Sequence, residues 1–188
     1  MFEGRRQMKS VVEMRGDEQK QFQLLADFGV IEAPTDYDHI TCLARFREKY
    51  LKEFWYYAQS DIVDAKFPNP SRILKSGDRL HVRIYQQVNG DPTKTTPGER
   101  MAFLAREKQD VYVGAQGVTL VYEQKKADFL PGYFYVSYDK KENLWEGYSR
   151  CGELPCLYIG GTVNEFTLEK FMWKRGAGYL FFGFSNAE

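Results

Sequence analysis

Apolar and polar residues follow two rhythms along this chain, and the rhythm changes at a double proline. Before that point apolar positions recur every three or four residues. Phe22, Leu25 and Phe28 make one such stripe. Asp17 and Glu18 suit the positive end of a helix and Gly29 its left-handed stop, so a helix is predicted over Asp17–Phe28. Ala33-Pro34-Thr35-Asp36 breaks the pattern. Leu43, Phe46, Tyr50, Phe54 and Tyr57 then recur at helical spacing, with Arg45, Lys49 and Lys52 on another side. They predict a second helix running to about Gln59, whose first turn, Ile40–Ala44, also reads as extended chain. Residues 1–16 carry no clear period and read as an arm or an added first strand.

Phe67-Pro68-Asn69-Pro70 stops regular structure, and strand-like alternation follows. Ile73–Tyr85 reads as a strand, a tight turn at Gly77-Asp78 and a second strand. In that second limb Leu80, Val82 and Ile84 alternate with Arg79, His81, Arg83 and Tyr85, which gives one apolar face and one basic-aromatic face. Asn89–Pro92 opens a loop. Thr96-Pro97-Gly98-Glu99 is laid out as a capping box and starts a helix to about Lys108. Further strands are expected at Val111–Gly114, Val118–Gln124, Gly132–Tyr138, Pro155–Gly160, Glu165–Trp173 and Tyr179–Phe184, with a hairpin loop over Lys174–Gly178 joining the last two. The predicted fold is α+β: a helical N-terminal third (1–66) packed on a curved, mostly antiparallel sheet or partial barrel (71–188), all within one domain spanning 1–188.

Composition narrows the function more than the fold. The 188 residues hold 26 basic and 26 acidic side chains, which argues against a chain built for non-specific grip on nucleic acid or anionic membrane. No apolar run approaches the ~18 residues of a membrane span. The charged stretch Met1–Gln21 does not have the pattern of a secretory signal, and three cysteines are too few and too odd for a disulfide framework. Free thiols in a cytoplasmic setting are expected. The outlier is aromatic content, 16% of residues, concentrated in the alternating second half, as a half-buried pleated sheet requires.

Two constellations could carry chemistry. Arg79, His81, Arg83 and Tyr85 stand in a row about 7 Å apart per step on one strand face, a spacing that could track a phosphodiester backbone or clamp an acidic segment. The opposing reading pairs those charges with acids on a neighbouring strand. His39-x-x-Cys42 and Cys151-x4-Cys156 together offer the four soft ligands of a tetrahedral zinc site, against which stands the burial of ordinary intracellular thiols. With two histidines and no Gly-x-Ser-x-Gly elbow, hydrolase triads are poorly served.

Gly132-Tyr133-Phe134-Tyr135-Val136 followed by Tyr158-Ile159-Gly160-Gly161-Thr162 resembles the paired strand signature of GIY-YIG endonucleases over about residues 131–170. In that family the second motif leads into a helix with a catalytic Arg. Here Val163–Trp173 has no Arg and reads as a strand.

The function expected is therefore that of a non-enzymatic interaction protein. It would engage a protein partner, or a second copy of itself, through the aromatic-rich sheet and the basic face of Arg79, His81, Arg83 and Tyr85. Strand addition along Glu165–Trp173 is a second route. Single-stranded nucleic-acid binding by the same row is the alternative, and a metal-dependent nuclease or hydrolase ranks third. No cofactor is expected beyond zinc at His39, Cys42, Cys151 and Cys156, and no membrane contact.

Overall fold

The computed structural model describes residues 21–56, 62–88, 95–146 and 151–187; the expectations for residues 1–16 and 89–92 lie outside them. Eight strands form one mixed sheet: β1 (Phe22–Glu32), β2 (Phe54–Tyr56), β3 (Arg79–Gln87), β4 (Tyr133–Val136), β5 (Trp145–Glu146), β6 (Gly152–Ile159), β7 (Asn164–Lys170) and β8 (Tyr179–Asn186). The spatial order is β1-β3-β8-β4-β6-β7-β2, with β5 attached to β6. Pairings are antiparallel except β2–β7 and β4–β8. Among the described residues three α-helices accompany the sheet: α1 (Cys42–Lys49), α2 (Pro97–Arg106) and α3 (Gly114–Lys125). The chain is α+β with an antiparallel-rich sheet, but the sheet is open rather than a barrel. Nor is there a helical N-terminal third packed on the sheet: among the described residues the helices follow β1, and one of eight residues lies between β1 and β2.

Two apolar layers sandwich the sheet. On one face Leu43 and Phe46 of α1 and Val118, Val121 and Tyr122 of α3 pack against Leu80, Val82, Ile84, Leu157, Leu180 and Phe182. On the other, Phe103 and Leu104 of α2 pack against Phe22, Tyr85, Val136, Cys156 and Phe181.

Five local readings are corrected by this arrangement, each for a physical reason. The stripe of Phe22, Leu25 and Phe28 belongs to β1, not to a helix. Bulges between Leu24 and Ala26 and between Asp27 and Gly29 shift the alternation, so that a pleated chain imitates helical spacing. Phe22 consequently meets Phe103 on the α2 face, while Phe28 meets Phe129 on the α3 face. Gly29, at φ 70°, is the left-handed residue of the second bulge, and its N–H donates to Asp27 Oδ1 at 2.8 Å.

The second predicted helix ends at Lys49. Phe46, Tyr50 and Phe54 do share one surface, with ring centroids 4.7 Å and 5.5 Å apart, but the chain turns after Tyr50 to place Phe54 on β2. Val118–Gln124 is helix α3 rather than a strand. Its residues from Gly114 to Tyr122 are all buried, so no polar stripe marks the turn of the helix. Val111–Gly114 is not a strand either: 111–113 lead into that helix, whose first residue is Gly114, with the Val111 N–H donating to the Phe184 carbonyl at 3.0 Å.

Finally, Lys174–Gly178 does not close a hairpin, because β6 and β4 lie between β7 and β8. The segment is a crossover over the α2 face. The capping box does what its spacing predicts: Thr96 Oγ1 accepts from Glu99 N–H at 3.2 Å, Glu99 accepts from Thr96 N–H at 2.6 Å, and α2 follows.

Candidate functional site

Alternation places Tyr179, Phe134, Tyr158 and Glu169 on the α2 face of the sheet, in phase with Phe181, Val136, Cys156 and Leu154. α2 packs over the β1-β3-β8 end of that face. Its Phe103 and Leu104 belong to the same buried cluster as Val136 of β4 and Cys156 of β6, and beyond them a half-exposed aromatic ladder occupies the floor. Phe134 lies between Tyr158, at 4.6 Å, and Tyr179, stacked at 4.8 Å with 17° between planes. Both faces of Phe134 are thus taken by protein rings, which leaves little for an incoming base to stack on.

The β7–β8 crossover roofs one side of this floor, and α2 pins it there. Arg100 is wholly buried, on the same side of α2 as Pro97, Phe103 and Leu104. Its guanidinium donates to Thr95 Oγ1 (2.8 Å) and to the carbonyls of Tyr179 (2.9 Å), Arg175 (2.7 Å) and Gly176 (3.2 Å), and it lies 5.0 Å from the Phe181 ring centre. No carboxylate is among these partners. Burial pushes the Arg100 pKa down, and the neighbouring Arg175 acts in the same direction.

Arg175 is 2% exposed at its side chain. Its Nη1 and Nη2 donate to the carbonyls of Trp173 (2.8 Å) and Lys170 (2.7 Å), and its backbone pairs with Thr95. Its nearest carboxylate, Glu169 Oε2, stands 3.7 Å from Nη2, an ion pair too long for a hydrogen bond. Neither Arg175 Nε nor Glu169 Oε2 has a hydrogen-bond partner. Burial raises the Glu169 pKa, and Arg175 offsets only part of that. Glu169, Arg175, Lys174, Gly176, Tyr179, Trp173 and Met172 together line a recess of about 500 Å³.

The basic row predicted on β3 is real in phase. Arg79 Nε lies 4.0 Å from Glu32 Oε2, His81 Nε2 2.5 Å from Asp27 Oδ1, and Arg83 Nε 3.1 Å from Asp27 Oδ2, so acids of the neighbouring strand β1 face the cations. Tyr85 is buried beneath α2 against Phe103 and Phe181. Asp27 is the hub of the cluster. Burial would raise its pKa, but His81, the Gly29 N–H and Arg83 outweigh that and hold it below the ordinary carboxylate value.

The four candidate zinc ligands are not brought together. Cys42 Sγ lies 3.4 Å from Thr119 Oγ1 on the α3 side, and His39 Nδ1 contacts Tyr37 Oη at 3.4 Å. Cys156 is buried on the α2 side, and Cys151 Sγ lies 3.1 Å from Met172 Sδ. Burial pushes the Cys42 thiol up to about 11 and the Cys156 thiol well above its ordinary value, so both are protonated near neutrality. Among the described residues no group of three or more His, Cys, Asp or Glu could hold a metal ion.

No family model, curated protein or solved structure matches this chain. The resemblance to GIY-YIG endonucleases reduces to a strand pair: Tyr133 does pair with Ile159, but β7 follows where that family has its helix. No helix among the described residues is long and apolar enough to cross a membrane.

Sequence reasoning missed Arg100, Arg175 and Glu169. Arg100 had a signal, since Pro97, Arg100, Phe103 and Leu104 recur at helical spacing behind a recognised capping box. Arg175 had none, because its burial depends on a crossover that local pattern reads as a hairpin.

Proposed function

We propose that this chain is a non-enzymatic binding protein that engages a protein partner along the β7 side of its sheet. The observation that carries this reading is the placement of four exposed large apolar residues at the two ends of β7. Trp55 and Val163 stand at its start, and Met172 and Trp173 at its close. Seven residues of strand separate the pairs by about 20 Å, a span suited to a standard interface. Trp and Met are the side chains that interfaces enrich, and Trp truncations dominate binding energy. The basic row on β3 does not enter the proposal, because β1 already supplies its counter-charges.

The test is capture of a partner on the immobilised chain from lysate of its source, compared with variants. Trp173→Ala should weaken retention by roughly 30-fold, about 2 kcal/mol, without moving the melting temperature. Arg79→Ala with Arg83→Ala should leave retention intact. A partner held equally well by the Trp55→Ala, Trp173→Ala double variant would overturn the reading.

A further inference from the structure

Two guanidinium ions lie beneath the β7–β8 crossover, and of the two Arg175 alone has a carboxylate within ion-pair distance among the described residues. Arg100 bonds only to a hydroxyl and three carbonyls. Arg175 has Glu169 at 3.7 Å and an Nε with no partner. Glu99, the next acid, caps Thr96 at the start of α2 and also offsets part of the charge of Arg100 and Lys174, which leaves three cations against two carboxylates. Lys174, the third cation, stands in the wall of the recess. Buried charges are normally matched by opposite charge, so a surplus of positive charge inside this layer is an anomaly that an anion would correct. In a low-dielectric pocket that surplus projects strongly into the recess.

The recess is also larger than a bare oxyanion needs. Its volume is about 500 Å³, within the range of small-molecule sites, and Trp173, Met172 and Tyr179 give it apolar walls. We infer that the recess between β7 and the crossover binds an oxyanion, phosphate or carboxylate, carried on a planar apolar body. The anion sits against Lys174 and the Arg175 layer while the body lies along Trp173 and Met172. The recess shares Met172 and Trp173 with the partner surface proposed above, but its ligand is a small molecule and its test needs no partner, so either reading can fail without the other.

The experiment titrates the full chain with phenyl phosphate and with phenylacetate, following tryptophan fluorescence and assigning the signal with Trp173→Phe. Inorganic phosphate and benzyl alcohol serve as part-ligands. Saturable binding of one oxyanion probe, tighter than either part-ligand, is expected, and the preferred probe identifies the anion. Lys174→Ala should weaken it about fivefold, the weight of one exposed charge at contact distance. Glu169→Gln should tighten it by a similar factor, because the substitution keeps the shape and removes the carboxylate that lines the recess beside Arg175. Lys174→Ala removes an exposed side chain, and Glu169→Gln keeps the side-chain shape while neutralising its 3.7 Å ion pair with Arg175, so a melting temperature recorded for each confirms that it folds. Absence of saturation, equal affinity for benzyl alcohol, or affinities unchanged in both variants would each overturn the inference.

Discussion

A fully buried guanidinium that satisfies itself on carbonyl oxygens does structural work no aliphatic side chain can copy. Arg100→Met would strip the side-chain donor from the carbonyls of Arg175, Gly176 and Tyr179 in a dry layer, and should cost about 3 kcal/mol in urea unfolding, against a few tenths for an ordinary surface substitution. Asp27 makes the opposite case. It is partly exposed, so its contacts with His81 and Arg83 are worth under about 1 kcal/mol. Its folded pKa lies below the unfolded value near 3.9, so this contribution is present above that pH and disappears as pH falls through the folded value. Asp27→Asn should therefore lower stability slightly at neutral pH and shallow its decline in acid, as read from stability measured between pH 7 and pH 2. An unchanged acid limb would mean the carboxylate is not linked to folding. The alternation of β3 was legible in sequence because every second residue declares its face. The acid that answers it was not, because Asp27 reaches His81 only through a bulge.

Elements were legible where their signals are local. The box at Thr96 and Glu99 closes within four residues, and α2 begins where it says. The N-terminus of α1 has an equivalent cap from far away: Asp64 accepts from the N–H groups of Leu43 and Ala44, at 2.9 Å and 3.1 Å, from a turn twenty residues later. Nothing near Thr41 announces it. Thr96→Ala and Asp64→Ala should each destabilise by about 1 kcal/mol, since both strip an acceptor from a helix start. If Asp64→Ala is neutral in thermal unfolding, α1 is held by packing alone. Elements buried on all sides lose their period, which is why α3 reads as a strand. Bulged strands acquire a false one, which is why β1 reads as a helix. In both cases tertiary context decides what a local pattern cannot.

At the scale of the molecule, β8 joins the two layers. Leu180, Phe182 and Phe184 enter the α1/α3 side and Phe181 the α2 side, so neither layer can be lost while the other keeps its floor. Gly183 marks how closely the α2 layer approaches. A Cβ there would stand 2.8 Å from Gln109 Cβ and from Tyr85 Cε2, and 3.0 Å from Leu104 Cδ2. Gly183→Ala should cost about 1–3 kcal/mol through overpacking on that side. Phe54→Ala, which empties the space among Phe46, Tyr122 and Phe166 on the other, should cost about 3–5 kcal/mol. The two changes lie on opposite faces and share no partner, so their costs should add. Each should shift one common transition, coincident by tryptophan fluorescence and far-UV circular dichroism, because the shared strand couples the layers. Two separated transitions in either variant would show that the layers unfold apart, and that β8 is a surface both rest on rather than the element that binds them.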